Sequence, residues 1–191
     1  METLRELDKE LFLFLNNLGT ETWDPFWLII TGKWYSIPIY AVLLYLIFKE
    51  FGLKNTLITL VFVAALIACT DQLANLFKDG FQRSRPCGMK GVMEIARFIA
   101  VRCGKYGYFS AHAASSMGLA IFIGLLLKSR YYYLIFALLF WSALIGYSRI
   151  YVGVHYPGDV LTGMVFGALL GFLFYKLHVY VLKRVQKKIK I

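Results

Sequence analysis

Three short stretches of the sequence concentrate polar residues of the types that bind and transfer phosphate. Each stretch lies beside an apolar segment, where these residues are not needed for solubility. In chain order, the stretches are 78–86 (KDGFQRSRP), 109–112 (FSAH) and 148–159 (SRIYVGVHYPGD). Together they predict a site that binds an anion and acts on it chemically.

Three cations and one helix start can hold a phosphate group. Lys78, Arg83 and Arg85 provide positive charge, and arginine matches phosphate oxygens with two parallel hydrogen bonds. Ser110 is a typical residue to precede a helix, and the first backbone N–H groups of a helix bind anions. These residues predict an anion cradle.

Two histidines and one carboxylate add the groups that a transfer reaction requires. His112 and His155 can provide a nucleophile and a proton donor, and Asp159 can orient one of the two imidazoles. Taken singly, these residues have structural explanations. Interfacial cations often anchor helices, Ser110 often only caps one, and a lone histidine is usually hydrogen-bonded in place. The functional prediction depends on their occurrence together.

The composition predicts a membrane protein as the frame for this site. Of the 191 residues, 59% are hydrophobic and only 17% are charged, which excludes a water-soluble globule and intrinsic disorder. The net charge of +10 indicates anionic lipids or phosphate-bearing ligands rather than nucleic acid. The length predicts one domain over 1–191. No cofactor is expected, because the three cysteines match no zinc-binding spacing.

Five apolar stretches are long enough to cross a bilayer as helices. A hydrocarbon core of about 30 Å requires roughly 20 residues per helix, and backbone groups inside it must pair within the segment. The sequence therefore predicts an all-α bundle of about five transmembrane helices, with the polar stretches at helix ends on one face. The predicted spans are 34–51, 55–77, 110–127, 131–147 and 160–182.

The N-terminal segment 2–18 predicts an amphipathic helix that lies on the membrane surface. It is too charged to span, and its apolar residues recur at intervals of three and four. In the last span, Gly163, Gly167 and Gly171 share one helix face, which predicts close packing against a neighbouring helix. The apolar positions of segment 2–18 are Leu4, Leu7, Leu11, Phe14, Leu15 and Leu18.

The three polar stretches resemble the motifs of the type 2 phosphatidic acid phosphatase (PAP2) superfamily of membrane lipid phosphatases. The first family motif is Lys, six residues, then Arg-Pro, and the third is Ser-Arg, five residues, His, three residues, then Asp. Both are matched in full. The matching positions are Lys78, Arg85 and Pro86 in the first motif and Ser148, Arg149, His155 and Asp159 in the third.

The second motif departs from the family pattern Pro-Ser-Gly-His. Phe109 and Ala111 replace the proline and the glycine, whereas Ser110 and His112 remain. Alanine keeps its N–H group but does not easily adopt a positive φ. The departure predicts a differently shaped phosphate cradle within the same reaction class.

The resemblance implies a metal-independent hydrolase with a covalent intermediate. His155 would attack phosphorus to form a phosphohistidine, and Asp159 would fix its tautomer. His112 would protonate the departing oxygen and then activate water. The phosphate-binding residues implied are Lys78, Arg85, Ser110, Ala111, Ser148 and Arg149.

The resemblance also implies a lipid phosphate as substrate and a bacterial cytoplasmic (inner) membrane as location, with the site facing the periplasm or exterior. Undecaprenyl diphosphate is the preferred expectation, from the size and layout of the chain. The alternatives are phosphatidylglycerophosphate, lipid A, a lipid phosphotransferase reaction, and non-catalytic binding of lipid phosphates. The oligomeric state stays open.

The basic residues give mixed information on orientation. Those at 49–54, at 128–130 and near the C-terminus share one face, which the positive-inside rule makes cytoplasmic. The opposite face carries a similar number of cations around the polar stretches, which cancels the charge difference between the two faces. Either that opposite face is the cytoplasmic one, or its cations are present because they take part in the reaction. Five additional cations could recognise a second phosphate or belong to a solvated loop. They are Arg83, Lys90, Arg97, Arg102 and Lys105.

Cysteine positions and one intramembrane carboxylate complete the predictions. Cys87 and Cys103 lie between the second and third spans, where an oxidising compartment would favour a disulfide, with two packed free thiols as the alternative. Cys69, within the second span, is expected to stay free. Asp71 is expected to face the bundle interior in a structural polar contact, because charge is costly within a span.

Overall fold

The computed structural model describes residues 2–189 and contains six α-helices in this range. Short 3-10 segments precede α2 and α3 and follow Arg85, and the only β-type pairing in the described range is an isolated bridge between Ser84 and Tyr106. The predicted all-α fold is confirmed. The helices are α1 Glu2–Asn17, α2 Asp24–Thr31, α3 Ile37–Phe81, α4 Ala111–Leu127, α5 Leu134–Tyr151 and α6 Pro157–Ile189.

Helix α3 contains both the first and the second predicted spans. Its 45 residues would extend about 68 Å as one straight helix, more than twice the hydrocarbon thickness. The helix is interrupted at Gly52, whose φ of 70° and ψ of 172° are not helical and favour glycine. Residues on both sides of Gly52, such as Ile47 and Thr56, line the same groove, so the two arms fold back on each other. The expected loop between the two spans is therefore a single-residue break.

The described helices are suited to a membrane environment. The segments Trp34–Phe81, Leu134–Tyr151 and Pro157–Val185 are long and apolar enough to cross a bilayer, and Ala111–Leu127 is apolar but shorter. With the two arms of α3 counted separately, these segments correspond to the five predicted spans. The end of α3, the start of α4, the end of α5 and the start of α6 lie at the same end of the bundle.

Helix α4 is the centre of the bundle and packs against α3, α5 and α6. The glycine face of α6 allows this approach, because an added Cβ at Gly163, Gly167 or Gly171 would overlap a carbonyl oxygen of α4. The oxygens concerned belong to Ser110, Ala114 and Gly118. The predicted role of this face in helix packing is confirmed.

Helix α1 lies across the end of the bundle that carries the polar stretches. Phe12 and Asn16 are fully buried, and the Asn16 side chain donates hydrogen bonds to the backbone oxygens of Ile150 (3.1 Å) and Tyr151 (2.9 Å). An apolar stripe on its other side is exposed, as expected for a helix whose apolar face lies in lipid. The stripe consists of Leu4, Leu7, Leu11 and Phe14, and the exposed Leu18 directly follows the helix.

The long connection between α3 and α4 is fastened at three points. Cys87 and Cys103 form a disulfide with Cα atoms 6.0 Å apart, as predicted, and Cys69 is a free cysteine. The N–H of Gly107 donates to the backbone oxygen of Arg83 at 2.9 Å, next to the isolated β-bridge between Ser84 and Tyr106. The connection is therefore held close to the ends of the helices that it joins.

Candidate active site

The structure brings the three polar stretches together at one end of the bundle. Lys78 lies in the last turn of α3, Ser110 precedes α4, Arg149 lies in the last turn of α5, and Asp159 lies in the first turn of α6. The N–H of Ser110 donates to the backbone oxygen of Asp159 at 3.0 Å, which ties the starts of α4 and α6 together. The fold thus converts residues far apart in sequence into one site.

A tight turn between α5 and α6 places His155 in the interior. Gly153 has a φ of +85°, and an added Cβ would press against the backbone oxygen of Arg97. After this turn, the N–H groups of Val154 and His155 both donate to the backbone oxygen of Arg149, at 3.1 and 3.2 Å. The turn therefore fixes the backbone of His155 against the end of α5.

His155 and Asp159 form a buried pair. His155 is 2% exposed and Asp159 is fully buried. Nδ1 of His155 lies 3.5 Å from Oδ2 of Asp159, at the outer limit of hydrogen bonding, and makes no shorter polar contact with a described residue. Oδ2 also accepts a hydrogen bond from the N–H of Tyr156 at 3.0 Å. Catalytic hydrogen bonds are often long until substrate is bound.

The surroundings of His155 favour its neutral form. Burial lowers the pKa of His155 to about 4, because the charged imidazolium is poorly solvated there. The Asp159 carboxylate opposes this shift, and the positive charges of Arg85 and Arg149 add to it. At neutral pH the imidazole is therefore unprotonated on one ring nitrogen, as a nucleophile must be.

Two of the predicted phosphate-binding cations, Arg85 and Arg149, lie near this pair, and Lys78 lies near Arg85. Arg85 is fixed by a hydrogen bond from Nε to the backbone oxygen of Tyr106 at 2.9 Å. Arg149 reaches Oγ1 of Thr31 in α2 through Nη1, and its Nε is buried without a hydrogen-bond partner in the described part of the chain. Lys78 lies near enough to Arg85 for their charges to repel. Clustered cations with an unsatisfied buried donor are suited to binding an anion.

The altered second motif is accommodated by packing. Ser110 caps α4, with Oγ accepting from the N–H of Ala113 at 3.4 Å, and Ala111 begins the helix without a positive φ. The alanine therefore does not strain the backbone at this position. Phe109 is fully buried and stacks on Phe166, with ring centroids 5.2 Å apart.

A polar crevice beside the site lies next to an apolar groove. The crevice has a volume of about 270 Å³ and is lined by His112 and Asp71. The groove has a volume of about 490 Å³ and runs between the two arms of α3 and along α4. Tyr40, Ile67 and Ser115 line both cavities, so the crevice and the groove are adjacent.

Two predicted positions differ from expectation. Asp71 is exposed and lines the crevice with His112, so the expectation that it faces the bundle interior is wrong. The hydroxyl of Ser148 is buried and donates to the backbone oxygen of Ile145 at 2.7 Å, one turn earlier in α5. We therefore leave Ser148 out of the phosphate-binding set.

Two of the five additional cations are already paired. Arg83 contacts Asp159 at 2.8 Å and Asp8 at 2.6 Å, and Arg97 contacts Asp24 at 2.9 Å. Their charges are balanced within the protein, which argues against a role for these two in recognising a second phosphate. Asp8 was not among the predicted site residues, because its partners are more than 70 residues away in sequence.

The described residues contain no group of three or more His, Cys, Asp or Glu side chains that could hold a metal ion. Within these residues, the positive charge that acts on His155 comes from the arginine side chains of Arg85 and Arg149. The site can bind a phosphate group next to a neutral imidazole that a carboxylate orients. This arrangement is suited to in-line attack on phosphorus.

Comparisons with known proteins agree with this description. The family model for the PAP2 superfamily matches residues 56–183. The chain is 36% identical to the lipid A 4'-phosphatase of Bacteroides thetaiotaomicron over 178 residues, which cover 92% of this chain and 78% of the relative. It is 31% identical to the lipid A 4'-phosphatase of Porphyromonas gingivalis over 188 residues, covering 96% and 78%.

Two further comparisons concern a more distant relative and a solved structure. An undecaprenyl-diphosphatase of Sulfolobus acidocaldarius is 29% identical over 167 residues, covering 86% of this chain and 75% of the relative. A transmembrane PAP2-type phosphatidylglycerolphosphate phosphatase from Bacillus subtilis has the same fold, with a TM-score of 0.74 and 17% identity. The alignment covers 95% of this chain and 89% of that structure.

The helical bundle and the cationic site with its buried histidine define a membrane phosphatase. The chain belongs to the PAP2 superfamily, as the motif resemblance predicted. It is a phosphate monoester hydrolase of this class.

Proposed function

We propose that the chain removes a phosphate monoester, specifically the 4'-phosphate, from lipid A or a closely similar acylated glycolipid. The observation that carries this proposal is that the His112 crevice lies directly beside the apolar groove between the arms of α3, with three lining residues in common. A phosphate at headgroup depth can reach the site while an acyl chain occupies the groove. The two lipid A 4'-phosphatases that align with nearly the whole chain support the same substrate class.

Undecaprenyl diphosphate, the preferred expectation from sequence, is less well supported. The undecaprenyl-diphosphatase is the more distant of the relatives described. A diphosphate requires charge neutralisation for two phosphate groups, and the internal pairing of Arg83 and Arg97 removes two cations that were candidates for this role. A monoester fits the remaining cluster of Lys78, Arg85 and Arg149.

The first half of the proposed reaction forms a phosphoenzyme. Lys78, Arg85, Arg149 and the N–H groups at the start of α4 bind the phosphate oxygens. Because Asp159 faces Nδ1 of His155, Nδ1 carries the proton and Nε2 attacks phosphorus. The phosphorus–oxygen bond to the glycolipid breaks in line with this attack, and His112 donates a proton to the departing oxygen.

The second half regenerates the enzyme. His112, now neutral, accepts a proton from a water molecule, and the water oxygen attacks the phosphohistidine. The phosphorus–nitrogen bond breaks, inorganic phosphate leaves, and His155 returns to its neutral form. Each proton that His112 gives in the first step is thus recovered in the second.

We also propose that residues 1–191 form one phosphatase domain with its site on the non-cytoplasmic side of a bacterial inner membrane. The disulfide lies at the same end of the bundle as the site, and disulfides persist in oxidising compartments. The basic segments at 49–54 and 128–130 lie at the other end, which the positive-inside rule places in the cytoplasm.

Phosphate release from a defined set of lipids tests the substrate proposal. The full chain in dodecylmaltoside receives lipid A, phosphatidylglycerophosphate or undecaprenyl diphosphate, and mass spectrometry identifies which lipid A phosphate is lost. We expect kcat/KM for lipid A to be at least about 10-fold higher than for the others, a difference of about 1.4 kcal/mol in transition-state stabilisation. An equal or higher value for undecaprenyl diphosphate would overturn the assignment.

Two control arms separate the other reaction classes. Labelled phosphate that appears on an added acceptor lipid instead of in solution would indicate a phosphotransferase. Binding of every lipid without phosphate release from any would indicate a non-catalytic protein. The His155→Gln variant, prepared in the same way, defines the background of the assay.

A further inference from the structure

We propose that Asp8 and Arg83 position the Asp159 carboxylate, so that helix α1 is part of the structure that orients the nucleophile. The inference rests on the proposed roles of His155 and Asp159. Neither Asp8 nor Arg83 touches the reacting atoms in this arrangement. Both are positioning residues, and they connect a helix on the membrane surface to the centre of the site.

The contacts form a continuous chain from α1 to His155. Oδ1 of Asp8 accepts from the N–H of Gly158 at 2.7 Å, and Oδ2 accepts from Nη2 of Arg83 at 2.6 Å. Nη1 of Arg83 donates to Oδ1 of Asp159 at 2.8 Å. The other oxygen of Asp159 faces Nδ1 of His155. Each carboxylate oxygen in this chain therefore has a defined partner.

The chain restricts rotation of the Asp159 carboxylate. Oδ1 is held by Arg83 and Oδ2 by the N–H of Tyr156, so both oxygens have fixed directions. The Arg83 guanidinium is itself held over the Tyr156 ring, 4.2 Å from the ring centroid. A planar guanidinium can bridge two carboxylates in this way, whereas a lysine ammonium presents a single charged nitrogen.

Burial strengthens the two ion pairs. The side chains of Arg83 and Asp8 are 19% and 15% exposed, and Asp159 is not exposed. Burial alone would lower the pKa of Arg83, but Asp159 and Asp8 outweigh it and raise the pKa above the ordinary value. Arg83 therefore stays charged. Removing either carboxylate would leave the positive charge of Arg83 partly unbalanced in a poorly solvated position.

Helix α1 is built to present Asp8 to the site. Asp8, Phe12 and Asn16 are four residues apart and share one face of the helix. Phe12 and Asn16 are fully buried, and Asn16 fastens the end of the helix to α5. The close contact between Asp8 and Gly158 leaves no room for a Cβ at Gly158, where an added atom would lie 2.8 Å from Oδ2 of Asp8.

Steady-state kinetics of Asp8→Asn, Asp8→Glu, Arg83→Gln and Arg83→Lys test the proposal. Each variant is prepared as the full chain in dodecylmaltoside. It is assayed on the lipid phosphate that the unmodified protein hydrolyses fastest. We expect Asp8→Asn to lower kcat about 10-fold and Arg83→Gln about 100-fold, with KM changed less than about 2-fold, because orientation of the nucleophile is lost while phosphate binding is kept. Asp8→Glu is expected to recover part of the loss, and Arg83→Lys little.

Matched controls distinguish positioning from general stability. Glu10→Gln makes the same charge change on an exposed position of α1, and Arg97→Gln breaks another arginine–aspartate pair, with Asp24. Neither Glu10 nor Arg97 belongs to the series of contacts that runs from Asp8 through Arg83 and Asp159 to His155. We expect both controls to keep kcat within about 2-fold, even where Arg97→Gln lowers the unfolding temperature.

A double-mutant cycle decides whether Asp8 acts through Asp159. In an Asp159→Asn background, Asp8→Asn is expected to cause no further loss of kcat, whereas an independent structural effect would add to it. If Asp159→Asn itself leaves kcat unchanged, the proposed role of Asp159 fails. If Asp159→Asn lowers kcat but Asp8→Asn does not, the positioning inference fails and the proposed function stands. If Asp8→Asn does not purify as a folded protein, Arg83→Gln decides, because Arg83 connects Asp8 to Asp159: a kcat within about 2-fold of that of the unmodified protein overturns the inference.

Discussion

Nδ1 of His155 lies 3.5 Å from the Asp159 oxygen opposite the one that Arg83 binds at 2.8 Å. A single carboxylate thus faces the imidazole on one side and a guanidinium on the other. Proton placement follows from this relationship, because the ring nitrogen that faces a carboxylate carries the proton and the other nitrogen keeps its lone pair. This placement, and the packing that maintains it, have consequences that can be measured.

Replacement of His155 is expected to stop the reaction before the covalent intermediate. His155→Gln removes the attacking nitrogen while keeping a polar side chain of similar length. Rapid acid quenching after mixing with labelled lipid phosphate should trap protein-bound label in the unmodified protein and none in the variant. Turnover by His155→Gln close to that of the unmodified protein would exclude the covalent mechanism.

Replacement of His112 is expected to separate leaving-group protonation from attack. His112→Ala should lower kcat about 10²-fold or more for a lipid phosphate, the usual contribution of a general acid. The loss of phosphoenzyme formation should be much smaller with an aryl phosphate, because a phenolate leaves without protonation. Equal losses for both substrates would show that His112 does not act as the acid.

Acid is expected to destabilise the protein through His155. With a folded-state pKa of about 4 and an unfolded-state value near 6.5, His155 is neutral in both states above pH 6.5. Between pH 6.5 and pH 4 the unfolded chain binds a proton and the folded protein does not, so stability falls by roughly 3 kcal/mol. Unfolding temperatures in detergent between pH 7.5 and pH 4.5 should fall less in His155→Gln. Identical pH dependence in both proteins would refute the assignment.

The Cys87–Cys103 disulfide is expected to support both stability and phosphate binding. Closing a loop of this length stabilises by about 3 kcal/mol in the chain-entropy model. The enclosed segment leads directly to Tyr106, which holds Arg85. A Cys87→Ser/Cys103→Ser variant should unfold at a lower temperature and show a raised KM, with Cys69→Ser as the control. The unreduced, denatured protein should contain one reactive thiol, and three would disprove the bridge.

Close packing of α6 on α4 is expected to make Gly167 intolerant of a side chain. An added Cβ would overlap the carbonyl of Ala114, so Gly167→Ala should destabilise by about 1–3 kcal/mol. Gly80, near the end of α3, is the matched control, because an added Cβ there would meet no neighbouring atom within 4 Å. Gly80→Ala should be neutral or slightly stabilising. Similar unfolding temperatures for the two variants would contradict the close approach of α6 to α4.

The sequence predicted the helices and the motif residues well because both depend on local patterns. Apolar length identifies a span, and motif spacing places His155 just before a helix whose first turn carries Asp159. The break at Gly52 was missed, because the charged residues around it suggested an ordinary loop. A single residue at positive φ leaves no compositional signal that distinguishes a sharp reversal from a longer connection.

Features that depend on distant contacts were not predictable from one sequence. Asp8 resembled any other charge on the polar side of an amphipathic helix until the fold brought Arg83 and Gly158 against it. Asp71 was expected to face inward because a charge in a span avoids lipid. Asp71 lies neither in lipid nor in the buried interior but in a polar crevice. The crevice forms only when α3 packs on α4, so one sequence does not show it.

On the proposed function, the groove between the two arms of α3 has a consequence for how the enzyme meets its substrate. Because the groove is apolar and adjacent to the crevice at His112, a lipid that enters from the side does not have to leave the bilayer. Encounter is then two-dimensional, and the quantity that governs the rate is the mole fraction of substrate in the surface rather than its bulk concentration. Dilution of the substrate with inert detergent at constant total substrate should therefore slow the reaction, whereas dilution of the whole mixture with buffer should leave the rate per enzyme unchanged.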